Sequence, residues 1–316
     1  RAFEEPFTIG DVRCRLDVSA GLVYYGSRER LRNLDADDLY RFAEAALRRA
    51  IDRNVCFEIS SEEAFAQMQR DWETNHELDK ALKEHEITLD YQPKYRLVDG
   101  ELMGAEAIVR WRKGGQIIPP QDFMPVLNES RLWDLTIYSL RRAIREMHGF
   151  VQRVPIAVSV DGRVLQHESF LNTVRSEINI WGIEPSRLAL EVRESRFDDD
   201  QTLAVLEELR ALGIAVVIDE FGRGQASLEH LRDLPVDEIK IDRSFITNLT
   251  QDAQDQQMTE AIIDLAHRFS MTVTADGVED AETFEYLSGV GCDIGQGFYL
   301  SAPLNELQFS QLTSLG

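Results

Sequence analysis

Six short apolar runs each carry a carboxylate, a lysine or a glutamine at or near one end. They are Ala105–Trp111 with Glu106, Leu188–Glu194 with Glu191 and Glu194, and Ile214–Phe221 with Asp219 and Glu220. Then come Glu238–Asp242 with Lys240, Thr272–Val278 with Asp276, and Ile294–Leu300 with Gln296. Acids gathered at one place hold cations or repel one another. A phosphate group brought among them needs its charge neutralised, and a pair of divalent cations roughly 4 Å apart supplies that. Mg²⁺ demands oxygen ligands near ~2.1 Å in octahedral array and tolerates misplacement poorly. The pattern therefore implies a metal-type phosphate site, provided that a fold collects the strand ends.

From Ile87 onward the chain has the rhythm to do so. Strand-like runs at Thr88–Tyr95, Leu102–Trp111, Val154–Val160, Leu188–Glu194, Ile214–Phe221, Glu238–Asp242, Thr272–Val278 and Ile294–Leu300 alternate with helical segments such as Leu132–Met147, Asp200–Leu212 and Gln256–Phe269. Eight strands alternating with helices predict an α/β fold, a TIM-like (β/α)8 barrel, which gathers its strand tips into one site. No GxGxxG or Walker loop argues for an open nucleotide-binding sheet, and the lone Gly222-Arg223-Gly224 is weak evidence.

The N-terminal stretch reads differently. Phe7–Ile9 and Val12–Tyr25 read as strands around a Gly10-Asp11 turn, Leu34–Arg53 as an amphipathic helix capped by Asp35, and Val55–Ile59 as a short strand. Ser61–Glu86 is a charged helical stretch with Phe65, Met68, Trp72, Leu78 and Leu82 on one stripe. The expected division is an α+β segment over 1–60, a helical linker over 61–86 and a barrel over 87–316.

Composition narrows the partners. The 316 residues carry a net charge of −22 and 43% hydrophobic content, enough for a sizeable core. A chain this acidic, without a basic run, repels a nucleic-acid backbone, so no nucleic-acid partner is expected. Three dispersed cysteines, Cys14, Cys56 and Cys292, fit a reduced, cytoplasmic setting. No run approaches the ~18 apolar residues of a membrane span. The start at Arg1 reads as a piece of a longer protein whose further part could be sensory or membrane-anchored.

The motifs resemble those of EAL domains, barrel phosphodiesterases that cleave cyclic di-GMP. Tyr91-Gln92-Pro93-Lys94 and the run Gly104–Trp111 open the likeness. Leu190–Ser195, Asp219–Gly224, Leu234–Asp242, Ala275–Glu279, Gly291–Asp293 and Gln296-Gly297 follow in family order. Residues 1–60 resemble the last part of a GGDEF, or diguanylate cyclase, domain without its signature loop, so they imply no cyclase activity. The resemblance implies metal ligands at Glu106, Ser159, Glu191, Asp219, Glu220 and Asp276, with Mg or Mn as cofactor in an active relative. It implies catalytic positions at Lys240, Gln296 and Glu279, a loop anchor at Glu194, and ligand contacts at Gln92, Ile108, Arg110 and Pro125. Taken singly, Gln92 and Trp111 could be packing residues, and Glu191 and Glu194 solvated strand-end charges.

The chain departs from that pattern at the metal positions. Ser159 stands for Asn, Asp219-Glu220 for a pair of aspartates, Asp276 for Glu, and Arg193 for Thr between Glu191 and Glu194. One methylene moves a carboxylate by ~1.5 Å, and Arg193 brings a cation that competes with a metal. The loop after Asp219, Arg223–Ser227, also differs from a family loop that couples metal binding to dimer contacts. The expectation is a degenerate EAL receptor for cyclic di-GMP that needs no cofactor and relays its state to the preceding domain or a protein partner, with a homodimer as one form. The alternatives are an active metal-dependent phosphodiesterase and an interaction platform that binds no nucleotide.

Overall fold

The computed structural model describes residues 7–9, 12–14, 18–23, 36–53, 55–60, 62–193, 200–223 and 234–315. The chain forms two compact units, Arg1–Glu77 and Leu78–Gly316, and the helix Glu62–Lys83 contains the boundary.

In the first unit, β1 (Phe7–Ile9) and β2 (Val12–Cys14) pair antiparallel, and β3 (Ala20–Val23) pairs parallel with β4 (Phe57–Ser60). The helix Ala36–Asp52 buries Phe42, Ala46 and Ala50. It lies so close to β3 that a Cβ on Gly21 would meet the Ala43 carbonyl oxygen at 1.9 Å, so glycine is required there. The single strand expected over Val12–Tyr25 is two strands, β2 and β3, with different partners. The Gly10-Asp11 turn lies outside the described residues. Leu22, Phe57 and Ile59 of β3 and β4 are exposed.

The second unit is a closed barrel. Its strands are β5 (Ile87–Arg96), β6 (Leu102–Lys113), β8 (Ile156–Ser159), β9 (Leu188–Arg193), β10 (Ala215–Phe221), β11 (Glu238–Ile241), β12 (Thr272–Asp276) and β13 (Ile294–Gln296). Two short strands extend it, β7 (Gln116–Ile118) on β6 and β14 (Leu304–Asn305) on β5. From β6 through β13 the barrel strands run parallel, while β5 is antiparallel to both β6 and β13. One barrel strand, β5, is thus reversed relative to the rest. The cause is the connection 97–101, a turn with Gly100 at φ 73, which is too short for a crossover that requires a dozen or more residues.

Helices cover the outside. Asn128 accepts from the Arg131 amide to open Glu129–Met147, whose Leu132, Leu140 and Ile144 are buried. Asp252 caps Ala253–Arg268, three residues before the helix start expected from periodicity, and Asp280 caps Ala281–Gly289. Outward-facing Tyr91 of β5 packs on Phe150 and Phe309. Inside, Ala157, Ala189 and Val217 form a thin apolar layer with Ala215 against it. Such small side chains leave room in the lumen for the charged groups beyond them.

Candidate functional site

Strands present alternate residues to opposite faces, and this barrel uses that period to bring ionisable groups together. Gln92 and Lys94 enter from β5, Glu106 from β6, Glu191 from β9, Asp219 from β10, Glu238 and Lys240 from β11, Thr274 and Asp276 from β12, and Gln296 from β13. Lys240 is the hub. Its Nζ donates to Glu106 Oε2 at 2.6 Å and Glu191 Oε2 at 3.2 Å, and lies 3.6 Å from Asp219 Oδ1. Lys94 Nζ donates to Glu191 Oε1 at 2.8 Å and Glu238 Oε1 at 3.4 Å, and Thr274 Oγ1 donates to Glu238 at 2.7 Å. On the other side Gln296 Nε2 donates to Glu106 Oε2 at 2.7 Å and Gln92 Oε1 at 3.1 Å. The result is one unbroken polar chain from Glu238 to Gln92.

Lys94, Glu191, Lys240 and Gln296 are all buried. Ionised groups survive burial only when each has an opposite charge and hydrogen bonds. Burial works against the Lys94 and Lys240 charges, but Glu191 with Glu238, and Glu106 with Glu191, outweigh it and hold both ammonium pKa values above the usual range. Burial likewise opposes the Glu191 carboxylate, yet Lys240 and Lys94 lower its pKa to about 2. Asp219 and Asp276 differ. Burial raises both pKa values, Lys240 only partly offsets it, and the surrounding acids add to the rise.

The rim of the mouth is built otherwise. Ser159 ends β8, exposed, opposite Glu191 in register. Arg193 ends β9 opposite Asp219. Glu220 has left-handed backbone, φ 56, its amide donates to Asp219 Oδ1 at 2.9 Å, and its Oε1 lies 3.3 Å from Arg193 Nε. These donors do not fit the two-cation centre that the family pattern implies. Three of the acids converge on an ammonium, Glu220 is turned onto a guanidinium, and Ser159 offers a hydroxyl where an amide oxygen is expected. Among the described residues no three Asp, Glu, His or Cys side chains stand at metal-binding spacing.

The β5–β6 hairpin supplies the remaining face. Gln92 pairs with Glu106, Asp90 with Ile108 and Thr88 with Arg110, so Gln92, Ile108 and Arg110 share one side with Glu106. Arg110 Nε donates to Asp90 Oδ2 at 3.0 Å and Arg112 to Asp90 Oδ1 at 2.9 Å. Arg110 is thus oriented by Asp90 rather than free to swing. Pro125 is exposed in the single turn Met124–Val126, away from the polar chain in sequence and in bonding. Trp111 is buried against Phe123 and donates to Glu86 at 3.1 Å, a packing role. Glu279 pairs with Arg243 and not with the ring. Gly277, φ 91, makes room there, because a Cβ would meet Arg243 Cγ at 2.5 Å. Glu194 lies outside the described residues.

Sequence reasoning brought Glu106, Glu191, Asp219, Lys240, Asp276 and Gln296 to one place, and the structure assembles them. It missed Lys94, Glu238, Thr274 and Asp90. The signal was present: Lys94 follows Gln92 by two, Glu238 precedes Lys240 by two, and Thr274 precedes Asp276 by two, so each shares its neighbour's face.

The EAL-domain family model matches residues 75–303. The chain belongs to the EAL-domain family. It is 33% identical over 315 residues to the bifunctional diguanylate cyclase/cyclic di-GMP phosphodiesterase MucR of Pseudomonas aeruginosa, covering 96% of this chain and 45% of that protein. It is 32% identical over 311 residues to the cyclic di-GMP phosphodiesterase NbdA of the same organism, covering 95% of this chain and 39% of that one. The chain therefore spans less than half the length of these curated relatives. A solved structure of the MucR phosphodiesterase in complex with c-di-GMP superposes with a TM-score of 0.70 at 34% identity, covering 75% of this chain and 99% of that one. Among the described residues no helix is long and apolar enough to cross a membrane.

Proposed function

We propose that this EAL domain is a cyclic di-GMP receptor that hydrolyses its ligand weakly or not at all. The observation that carries the reading is the Arg193–Glu220 pair beside the Lys240-centred acid ring. Lys240 pairs with the inner acids and Arg193 takes the outer one, so part of the negative charge of the mouth is compensated from within the chain. The ligand-facing side is retained: Gln92, Ile108 and Arg110 lie with Glu106 on one face of the β5–β6 hairpin. Gln296 Oε1 is buried without a hydrogen-bond partner among the described residues, a free acceptor for a ligand N–H or hydroxyl. Arg110, set by Asp90, supplies a charge-assisted contact to a phosphate. The likeness to a phosphodiesterase structure in complex with c-di-GMP supports that choice of ligand.

The first unit is read as the C-terminal part of a GGDEF-like domain, and the helix Glu62–Lys83 as the route by which occupancy is relayed to it or to a protein partner. The working location is the cytoplasm. Two measurements test the receptor reading. Calorimetry with cyclic di-GMP in EDTA gives binding heat, and its absence overturns the reading. Single-turnover assays with Mg²⁺ or Mn²⁺ at excess enzyme give little or no linear dinucleotide, and efficient product formation returns the chain to the metal-dependent phosphodiesterases.

A further inference from the structure

We propose that Arg193 is a phosphate-binding residue of this site, its guanidinium providing the counter-charge above the acid ring while Glu220 holds it in place. The inference rests on the receptor reading. A phosphodiester approaching the mouth meets Glu106, Glu191, Asp219, Glu220 and Asp276, and needs positive charge to stay. Lys240 and Lys94 are buried and taken up by Glu106, Glu191 and Glu238. Arg110, set by Asp90 through Nε, offers its contact from the β5–β6 hairpin and not from β9 or β10.

Arg193 is placed differently. It follows Glu191 by two on β9, so it emerges on the same face, ~6.6 Å further along the strand toward solvent. Asp219 stands opposite it in register. Its side chain is 67% exposed, and its Nε lies 3.3 Å from Glu220 Oε1. Among the described residues its one ion pair is that with Glu220, so both terminal nitrogens can serve a ligand, and a guanidinium matches two phosphate oxygens with two parallel N–H donors. Glu220 is anchored in turn, because its own amide is bound to Asp219 Oδ1. It orients the arginine and competes mildly with the phosphate for it.

Arg193 thus takes the charge-compensating role of a cation without supplying an activated water. Binding then proceeds without divalent metal, and added Mg²⁺ does not strengthen it. The test is a calorimetric titration of the whole chain with cyclic di-GMP in EDTA and again in Mg²⁺. The parent binds in both. Arg193→Thr lowers affinity about tenfold, the loss of one charge-assisted contact. Arg193→Lys recovers part of it, as a point charge without the fork. Glu220→Gln frees the guanidinium and tightens binding. Melting midpoints of all variants are measured alongside, and the exposed positions leave them unchanged. Parent binding that Arg193→Thr leaves within twofold overturns this inference and spares the receptor reading. Parent binding that appears only with Mg²⁺ overturns the metal-free role of Arg193. No parent binding in either buffer removes the receptor reading itself.

Discussion

The inner ring and the outer rim of the barrel mouth stand a few ångströms apart and are held by different physics. In the ring, Lys94, Glu191 and Lys240 are buried, and each charge meets an opposite one within 3.2 Å. On the rim, Arg193 and Glu220 share one contact at 3.3 Å and are 67% and 38% exposed. Removing one partner from a buried charge network leaves an uncompensated ion in low dielectric, whereas an exposed pair exchanges protein contacts for water. The ring residues are thus tied to folding, while the rim is free to change without unfolding the barrel. All of Ser159, Arg193 and Glu220, three of the four substituted positions, lie on that freer rim.

The comparison is most easily broken at Glu191. Glu191→Gln leaves Lys94 and Lys240 with a neutral neighbour and is expected to cost ~3–5 kcal/mol of stability at neutral pH, read by urea denaturation. An effect below 1 kcal/mol removes the claim that the ring is structural. The next largest effect is a gain. Restoring the family residues with Ser159→Asn, Arg193→Thr, Glu220→Asp and Asp276→Glu together is expected to raise Mg²⁺-dependent linearisation of cyclic di-GMP roughly 100-fold, the scale on which metal-site surroundings act. A quadruple variant as inactive as the parent shows that the defect lies elsewhere.

Smaller effects sharpen the contrast. Arg193→Thr alone is expected to shift stability by less than ~0.5 kcal/mol, as for an exposed pair. A shift as large as that of Glu191→Gln makes the rim structural too. The smallest effect is chemical. Burial first, and then Asp293, raise the Cys292 thiol from 9.0 to about 12. Its native state therefore keeps its proton where the unfolded chain loses it. That stability is fully present below pH 9, and is lost as pH rises through the window from 9 to about 12. Alkylation at pH 8 followed by peptide mass spectrometry is expected to label exposed Cys56 and spare Cys292 until the barrel unfolds. Prompt labelling of Cys292 contradicts its burial.

The barrel was legible because its strands are short apolar runs with charges at their ends, and because helices such as Glu129–Met147 repeat their apolar residues at helical spacing. The reversed β5 was not read, although the short link to β6 contained the reason. The ring acids were legible by motif, whereas Lys94 passed as part of Tyr91-Gln92-Pro93-Lys94. A lysine in a strand reads as a solvent-facing charge until the closed sheet shows that its face points inward. Glu238 and Thr274 were missed for the same reason.

The sequence alone determined the family, the eight-strand alternation and the identity of the substituted positions, because these are matters of residue type, order and spacing. Only the tertiary structure decided which charges meet. Barrel closure brings β5 beside β13, 198 positions along the chain at Arg96 and Ile294, and with it Gln92 to Gln296 and Lys94 to Glu191. The register of β9 on β10 sets Arg193 over Asp219. Electrostatic energy depends on distance and burial, and neither exists until the sheet has closed.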